Sequence, residues 1–297
     1  MTADDHEVAR ELAVEAGRRL LELRAEGGEP DLLRKAGDRR SHEFLTAELA
    51  GRRPGDVVLS EEGADDPARL AASRVWIVDP LDGTREFGEP GRTDWAVHVA
   101  LWERGRTGGD GRETDRNSME VAPYRFFSVQ CSTHRFRNPS RSGMSARDTG
   151  AGLTAGAVAL PAQARVLSTA APAGPPADGE GNDPVRIVIS RSRAPRLVYD
   201  ISDLIGAELV PLGSAGAKVA AVVYGEADAY VHAGGFYEWD TAAPVAVARA
   251  AGFHASRIDG SPLAYNQADV RMPDILVCRP ALAGVLLQAI QEVTNAS

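Results

Sequence analysis

Cysteine is nearly absent: Cys131 and Cys278 are the two in 297 residues, and they lie far apart. That excludes a disulfide framework and any Cys/His zinc spacing. Long apolar runs are missing too, so no segment is expected to span a bilayer. Residues 1–10 are polar and acidic, unlike a secretory leader, and the expectation is a soluble cytoplasmic protein. Positive charge is in deficit, with 33 Lys and Arg against 42 Asp and Glu and a net charge of −9. This disfavours general nucleic-acid binding. An anionic ligand would need metal ions or a local cationic cluster to reverse the field. The alternating acids and distal Glu of an EF-hand are absent, as are the P-loop and dinucleotide spacings. What is present, 43% hydrophobic and 25% charged residues, is the ordinary globular balance in a chain long enough for two domains or one large one.

The most informative stretch is Val75-Trp76-Ile77-Val78-Asp79-Pro80-Leu81-Asp82-Gly83-Thr84. Its β-branched and aromatic run predicts a buried strand. Pro80, which has no N–H to donate, is expected to end it. Asp79 and Asp82 then stand at the strand exit, where like charges repel unless a cation or proton lies between them. An all-oxygen site of this kind suits Mg²⁺. Gly83 and Thr84 add N–H groups and a hydroxyl where a phosphate can dock at a helix start. Taken alone, Asp, Pro and Gly read equally well as a solvated turn. A second predicted strand, Val57-Val58-Leu59, ends in Ser60-Glu61-Glu62-Gly63. If the two strands are neighbours, Glu61 and Glu62 join the acids as a metal cluster; otherwise they are a solvated strand end.

Elsewhere, Val8, Leu12, Ala16, Leu20 and Leu23 predict an amphipathic helix over residues 5–24, ended by Gly27-Gly28. A second helical pattern runs through Phe44, Leu45 and Leu49, with Asp38 just before it in N-cap position. Trp95, Val97, Val99 and Leu101 alternate with Ala96, His98, Ala100 and Trp102, which predicts a central strand. His98 reads there as a core histidine, having no partner at ligand spacing. Residues of about 104–150 hold scattered Arg and no period, and read as an insertion, either a solvated loop or an anion-attracting lid. Residues 156–160 and 164–167 predict a strand pair split by Pro161. The Ala, Pro and Gly-rich residues 170–184 predict a linker, hence an N-terminal domain at 1–183 and a C-terminal domain at 184–297. The latter alternates: strand 185–190, helix 195–205, strand 209–212, helix from Gly213 through Tyr224, strand 229–232, helix 240–251 and helix 281–292. That is an α/β pattern. The turn Gly213-Ser214-Ala215-Gly216 either packs helix on sheet or admits an anion. Asp240 in Glu238-Trp239-Asp240-Thr241 is either a helix cap or a further carboxylate for an interdomain metal site.

Three of these stretches, Leu59-Ser60-Glu61-Glu62-Gly63, Asp79-Pro80-Leu81-Asp82-Gly83-Thr84 and Glu238-Trp239-Asp240, resemble in order the signatures of the Mg²⁺-dependent, Li⁺-sensitive inositol monophosphatase superfamily. Thr84-Arg85-Glu86-Phe87, Asp94-Trp95-Ala96-Val97-His98, Gly213 to Lys218 and His232-Ala233-Gly234-Gly235 are most similar to its CysQ-type 3′(2′),5′-bisphosphate nucleotidases. The resemblance implies a layered α-β-α-β-α sandwich and hydrolysis of the 3′-phosphate of 3′-phosphoadenosine 5′-phosphate, with its 5′-phosphosulfate analogue as a second substrate. It implies two or three Mg²⁺ ions held by Glu61, Asp79, Asp82, Asp240 and the Leu81 carbonyl, inhibition by Li⁺, and phosphate on Gly83 and Thr84. Thr84, partnered by Asp38, would orient the attacking water, and Glu61 would share in catalysis. Ser190, Arg191, Gly213, Ser214 and Lys218 match positions near the nucleotide or second phosphate, and Glu238 a substrate hydroxyl. A homodimer is left open. An inositol or fructose-1,6-bisphosphate phosphatase on the same metal core, and a non-hydrolysing nucleotide or metal sensor, are the alternatives.

Overall fold

The computed structural model describes residues 4–105, 152–174 and 183–296. Most of the expected insertion at about 104–150, and part of the expected linker, lie outside them. Two long helices open the chain: α1 (Asp5–Glu26) and α2 (Pro30–Arg52). Val8, Leu12, Ala16, Leu20 and Leu23 form the buried stripe of α1, as their spacing predicts. Asp4 caps α1 by accepting the His6 N–H, and Glu29 caps α2 by accepting that of Leu32, with Pro30 at the first position. The second helix therefore starts earlier than expected, and Asp38 is a mid-helix residue rather than its cap. Gly37, beside Asp38, is buried where a Cβ would lie 2.8 Å from Leu81 and 2.9 Å from Phe87. It admits close packing and interrupts nothing.

The first sheet has five strands in the order β1 (Val57–Ser60), β2 (Arg74–Asp82), β3 (Ala96–Glu103), β4 (Gly152–Leu160) and β5 (Arg165–Ser168). β1 and β2 are parallel neighbours, with Ser60 opposite Val78, so Glu61 and Asp79 follow at the same level. β2 does not stop at Pro80. It runs on to Asp82 through an irregular stretch between the pairs Asp79–His98 and Asp82–Ala96, where the missing Pro80 N–H breaks no regular ladder. A short helix, α3 (Thr84–Gly88), follows Gly83, whose φ of 84° is left-handed.

The chain continues through β6 (Arg186–Ser190), α4 (Arg196–Ile205), β7 (Glu208–Leu212), α5 (Ala215–Val223), β8 (Ala229–Tyr237), α6 (Glu238–Ala250), β9 (His254–Ser256), β10 (Arg271–Cys278) and α7 (Ala283–Ala296). These strands form a second sheet in the order β7-β6-β8-β10-β9. The sequence reading missed β9 and β10. In β10, Pro273 sits at a register shift between Met272 and Asp274, and a proline inside an apolar run argues against a strand.

Alternation along the strands builds the layers. Trp76 and Val78 face α1 and α2, while Val75 and Ile77 face α5 and α6. Val188, Tyr230, Ile275 and Val277 close on α5 and α6 from the second sheet, whose far face carries Ile187, Val231 and Leu276 against α4 and α7. The result is the expected α-β-α-β-α sandwich. Among the described residues no helix is long and apolar enough to cross a membrane.

Candidate active site

The end of β2 and the first turn of α6 place three acids together. One oxygen from each of Asp79, Asp82 and Asp240 lies within 4.8 Å of the others. Asp79 is 1% exposed and accepts the Leu81 N–H at 3.0 Å. Burial first, then Glu61, Asp82 and Asp240, raise its pKa well above the carboxylate range. Burial followed by Asp82 raises Asp240 to about 7. Glu61 also rises to about 7, through desolvation and then Asp38, Asp82 and Glu62, against a hydrogen bond from the Asp79 side. Asp82 behaves oppositely. Burial would raise it, but His98, Lys218 and Ser214 outweigh burial and hold it low. Its Oδ2 accepts from Ser214 Oγ and from the Gly216 N–H at 2.7 Å, and His98 Nε2 stands 3.1 Å away.

Glu61, Asp79, Leu81, Asp82 and Asp240 line a cavity of about 470 Å³ together with Gly83, Thr84, Ser190, Gly213, Ser214 and Lys218. Thr84 Oγ1 lies 3.3 Å from Asp38 Oδ1 and 3.1 Å from the Leu81 carbonyl. Desolvation, then Glu62, raise Asp38 to about 7. Lys218 is 5% exposed, donates to the Ser214 and Gly213 carbonyls at 2.6 and 3.2 Å, and is lowered to about 8 by burial.

Several expected substrate contacts have other partners. The Gly213 N–H goes to Asp94 Oδ2 at 2.6 Å, and a Cβ there would lie 2.4 Å from Glu86 Cδ. Ser214 Oγ is taken by Asp82 and by the Ala217 N–H it caps. Arg191 pairs with Glu86 at 2.7 Å and Glu89 at 2.9 Å, and Arg193, two residues on, lines the cavity instead. Ser190 Oγ accepts the Arg193 N–H. Glu238 is fully buried, is not among the lining residues, and accepts the Asn266 and Gln267 N–H groups, each at 2.7 Å.

Four residues to which the sequence reading gave no part in the site lie at or beside it. His98 is a core histidine as expected, yet it also stands between Asp82 and the Trp239 carbonyl, the latter 3.1 Å from its Nδ1. Its pairing opposite Asp79 across β3 and β2 was the available signal. Arg193, Tyr230 and His232 line the cavity, and the Tyr230 hydroxyl and His232 Nδ1 are buried without a hydrogen-bond partner among the described residues. Tyr230 reads in sequence as a core position of β8, and His232 entered only within the His232-Ala233-Gly234-Gly235 stretch, with no role of its own.

The family model for the inositol monophosphatase family matches residues 5–108 and 177–295. A Mycobacterium leprae protein named 3′-phosphoadenosine 5′-phosphate phosphatase is 46% identical over 97% of this chain and 94% of its own. The 3′(2′),5′-bisphosphate nucleotidase CysQ of Escherichia coli strain K12 is 28% identical over 78% of each chain. The crystal structure of CysQ from Bacteroides thetaiotaomicron shares the fold, with a TM-score of 0.66 at 24% identity over 93% of this chain and 97% of that one. On the extent of the match and the identity along nearly the whole length, the chain belongs to the inositol monophosphatase family.

Proposed function

We propose that the protein is a Mg²⁺-dependent cytoplasmic phosphatase that hydrolyses the 3′-phosphate of 3′-phosphoadenosine 5′-phosphate to AMP and inorganic phosphate. One observation carries this reading: a single cavity is lined both by clustered acids and by the cationic side chains of Lys218 and Arg193. The names of the two curated relatives support the nucleotide as substrate.

The donor set fits a hard divalent ion, since it is all oxygen and its acids repel one another when ionised together. Glu61, Asp79, Asp82, Asp240 and the Leu81 carbonyl would hold it. Bound there, Mg²⁺ lowers the pKa of a water and neutralises phosphate charge. The chain supplies the rest. The Thr84 hydroxyl proton is directed to Asp38 or Leu81, so Oγ1 presents its lone pairs to a water. Asp38, with a pKa of about 7, is matched to receive the water's proton through Thr84. The water oxygen bonds phosphorus, the bond to the 3′-oxygen breaks, and that oxygen takes up a proton from solvent while Asp38 returns its own to solvent. We assign the transferred phosphate to Gly83 and Thr84, and the remaining nucleotide charge to Ser190, Lys218 and Arg193. Glu61, Asp79 and Asp82 fall in residues 1–183, and Asp240, Lys218 and Arg193 in 184–297, so we read the first part as carrying most of the metal ligands and the second as completing the metal site and recognising substrate.

The test is phosphate release from 3′-phosphoadenosine 5′-phosphate, inositol 1-phosphate and fructose 1,6-bisphosphate, each with and without Mg²⁺ and with added Li⁺. Mg²⁺-dependent, Li⁺-sensitive release fastest from the nucleotide is the expected result. Faster release from a sugar or inositol phosphate would overturn the substrate. No release from any of them would leave a nucleotide or metal sensor.

A further inference from the structure

Glu238 is the most completely buried acid near the site, yet it faces away from the cavity. Its two carboxylate oxygens accept the N–H groups of Asn266 and Gln267 at 2.7 Å each. Those two residues are held in turn by Arg69, which is 1% exposed. Arg69 Nη1 donates to Asn266 Oδ1 at 2.9 Å, Nη2 donates to the Gln267 carbonyl at 2.8 Å, and Asn266 Nδ2 returns a bond to the Arg69 carbonyl at 3.1 Å. Asp65 pairs with the same guanidinium. Asn266 has a φ of 57°, a left-handed conformation that presents its N–H and that of Gln267 to one acceptor.

This knot grips the first turn of α6, which also carries Asp240. The Glu238 N–H donates to the Val270 carbonyl at 2.8 Å, and the Tyr265 hydroxyl donates to Thr241 Oγ1 at 3.2 Å. From β3, His98 holds the Trp239 carbonyl. Residues two apart on a helix point about 200° apart, so Glu238 anchors the turn on one side while Asp240 is presented on the other.

We propose that Glu238 and Arg69 are positioning residues for Asp240: through Asn266 and Gln267 they fix the first turn of α6, and with it the Asp240 carboxylate in the metal cluster. This rests on the reading of Asp240 as a metal ligand. Groups that orient a ligand from behind affect metal affinity, whereas a substrate contact affects KM.

The experiment uses the full-length chain carrying Glu238→Gln, Arg69→Lys or Asp240→Asn. Mn²⁺ binding is titrated by electron paramagnetic resonance, and KM for the bisphosphate nucleotide is measured at saturating Mg²⁺. The amide at position 238 faces an N–H with a donor, and Mn²⁺ affinity is expected to fall about tenfold, with KM within about twofold of the parent. Arg69→Lys is expected to weaken Mn²⁺ in the same direction by a smaller factor, and it carries the test if the first variant does not fold. Unchanged Mn²⁺ affinity in the folded variants, or a raised KM with metal binding intact, would overturn the proposal. Weak binding in Asp240→Asn alone would sink the positioning role and leave the metal site standing. Unchanged binding in Asp240→Asn would remove Asp240 from the metal site and the proposal with it.

Discussion

Asp79 and Asp82 lie at one strand end, but their surroundings drive them apart. Asp79 is raised by burial and by three neighbouring acids, while His98, Lys218 and Ser214 keep Asp82 ionised. One carboxylate thus enters the cluster already charged, and the other must release a proton when a cation arrives. Asp79→Asn is expected to lower phosphate release at saturating Mg²⁺ by about two orders of magnitude or more, by the measure of removing one electrostatic stabiliser. Near-parental turnover would take Asp79 out of the site. Asp38→Asn keeps the Thr84 contact but cannot take a proton, and kcat is expected to fall about a hundredfold with Mn²⁺ affinity retained; equal kcat would end its role as base. The acids were legible in sequence because carboxylates ending apolar strands are conspicuous. The donors around Asp82 were not, because His98 looks like any inward residue of β3, and the Ser214 turn reads equally well as plain packing.

At the scale of the element, the start of α5 is the tightest joint in the site. A Cβ on Gly216 would lie 2.2 Å from His98 Nε2 and 3.0 Å from the Ala96 Cβ. Gly216→Ala is expected to destabilise the fold by about 1–3 kcal/mol in a denaturant melt, since an overpacked joint must shift backbone. An unchanged midpoint would show that the turn relaxes freely. The small residues here were read as room for an anion. In the structure two of the turn's N–H groups, those of Gly213 and Gly216, are committed to Asp94 and Asp82. Glu238 illustrates the same limit. The resemblance implied a contact with a substrate hydroxyl, yet helical geometry turns it away from the cavity that Asp240 lines. β10 escaped notice because Pro273 and Asp274 cut Met272 off from the short apolar run Ile275 to Cys278.

For the whole molecule, the acid cluster is a liability without metal. Asp38, Glu61 and Asp240 have folded pKa values of about 7, and Asp79 is also raised. Each binds a proton in the folded state that the unfolded chain has already lost above about pH 4. Their stabilisation is full below that and is lost as pH rises through about 7. His232, lowered to about 4, acts in the opposite sense, but only below about pH 6.5. The metal-free protein is therefore expected to melt at a lower temperature at about pH 8 than at about pH 6.5. Mg²⁺ at about one hundred times its Kd should add about 2.7 kcal/mol and flatten that slope. A metal-free Tm that does not change with pH would contradict the clustering of these acids. By itself the sequence determined the strands that end in acids, the helical stripes and the family signatures, because period and residue type are local properties. Only the tertiary structure decided which acids meet, which turn donors remain open to a ligand and which way Glu238 faces. Those depend on α5 and α6 being shared by two sheets, which brings Asp240 to the end of β2 across most of the chain's length.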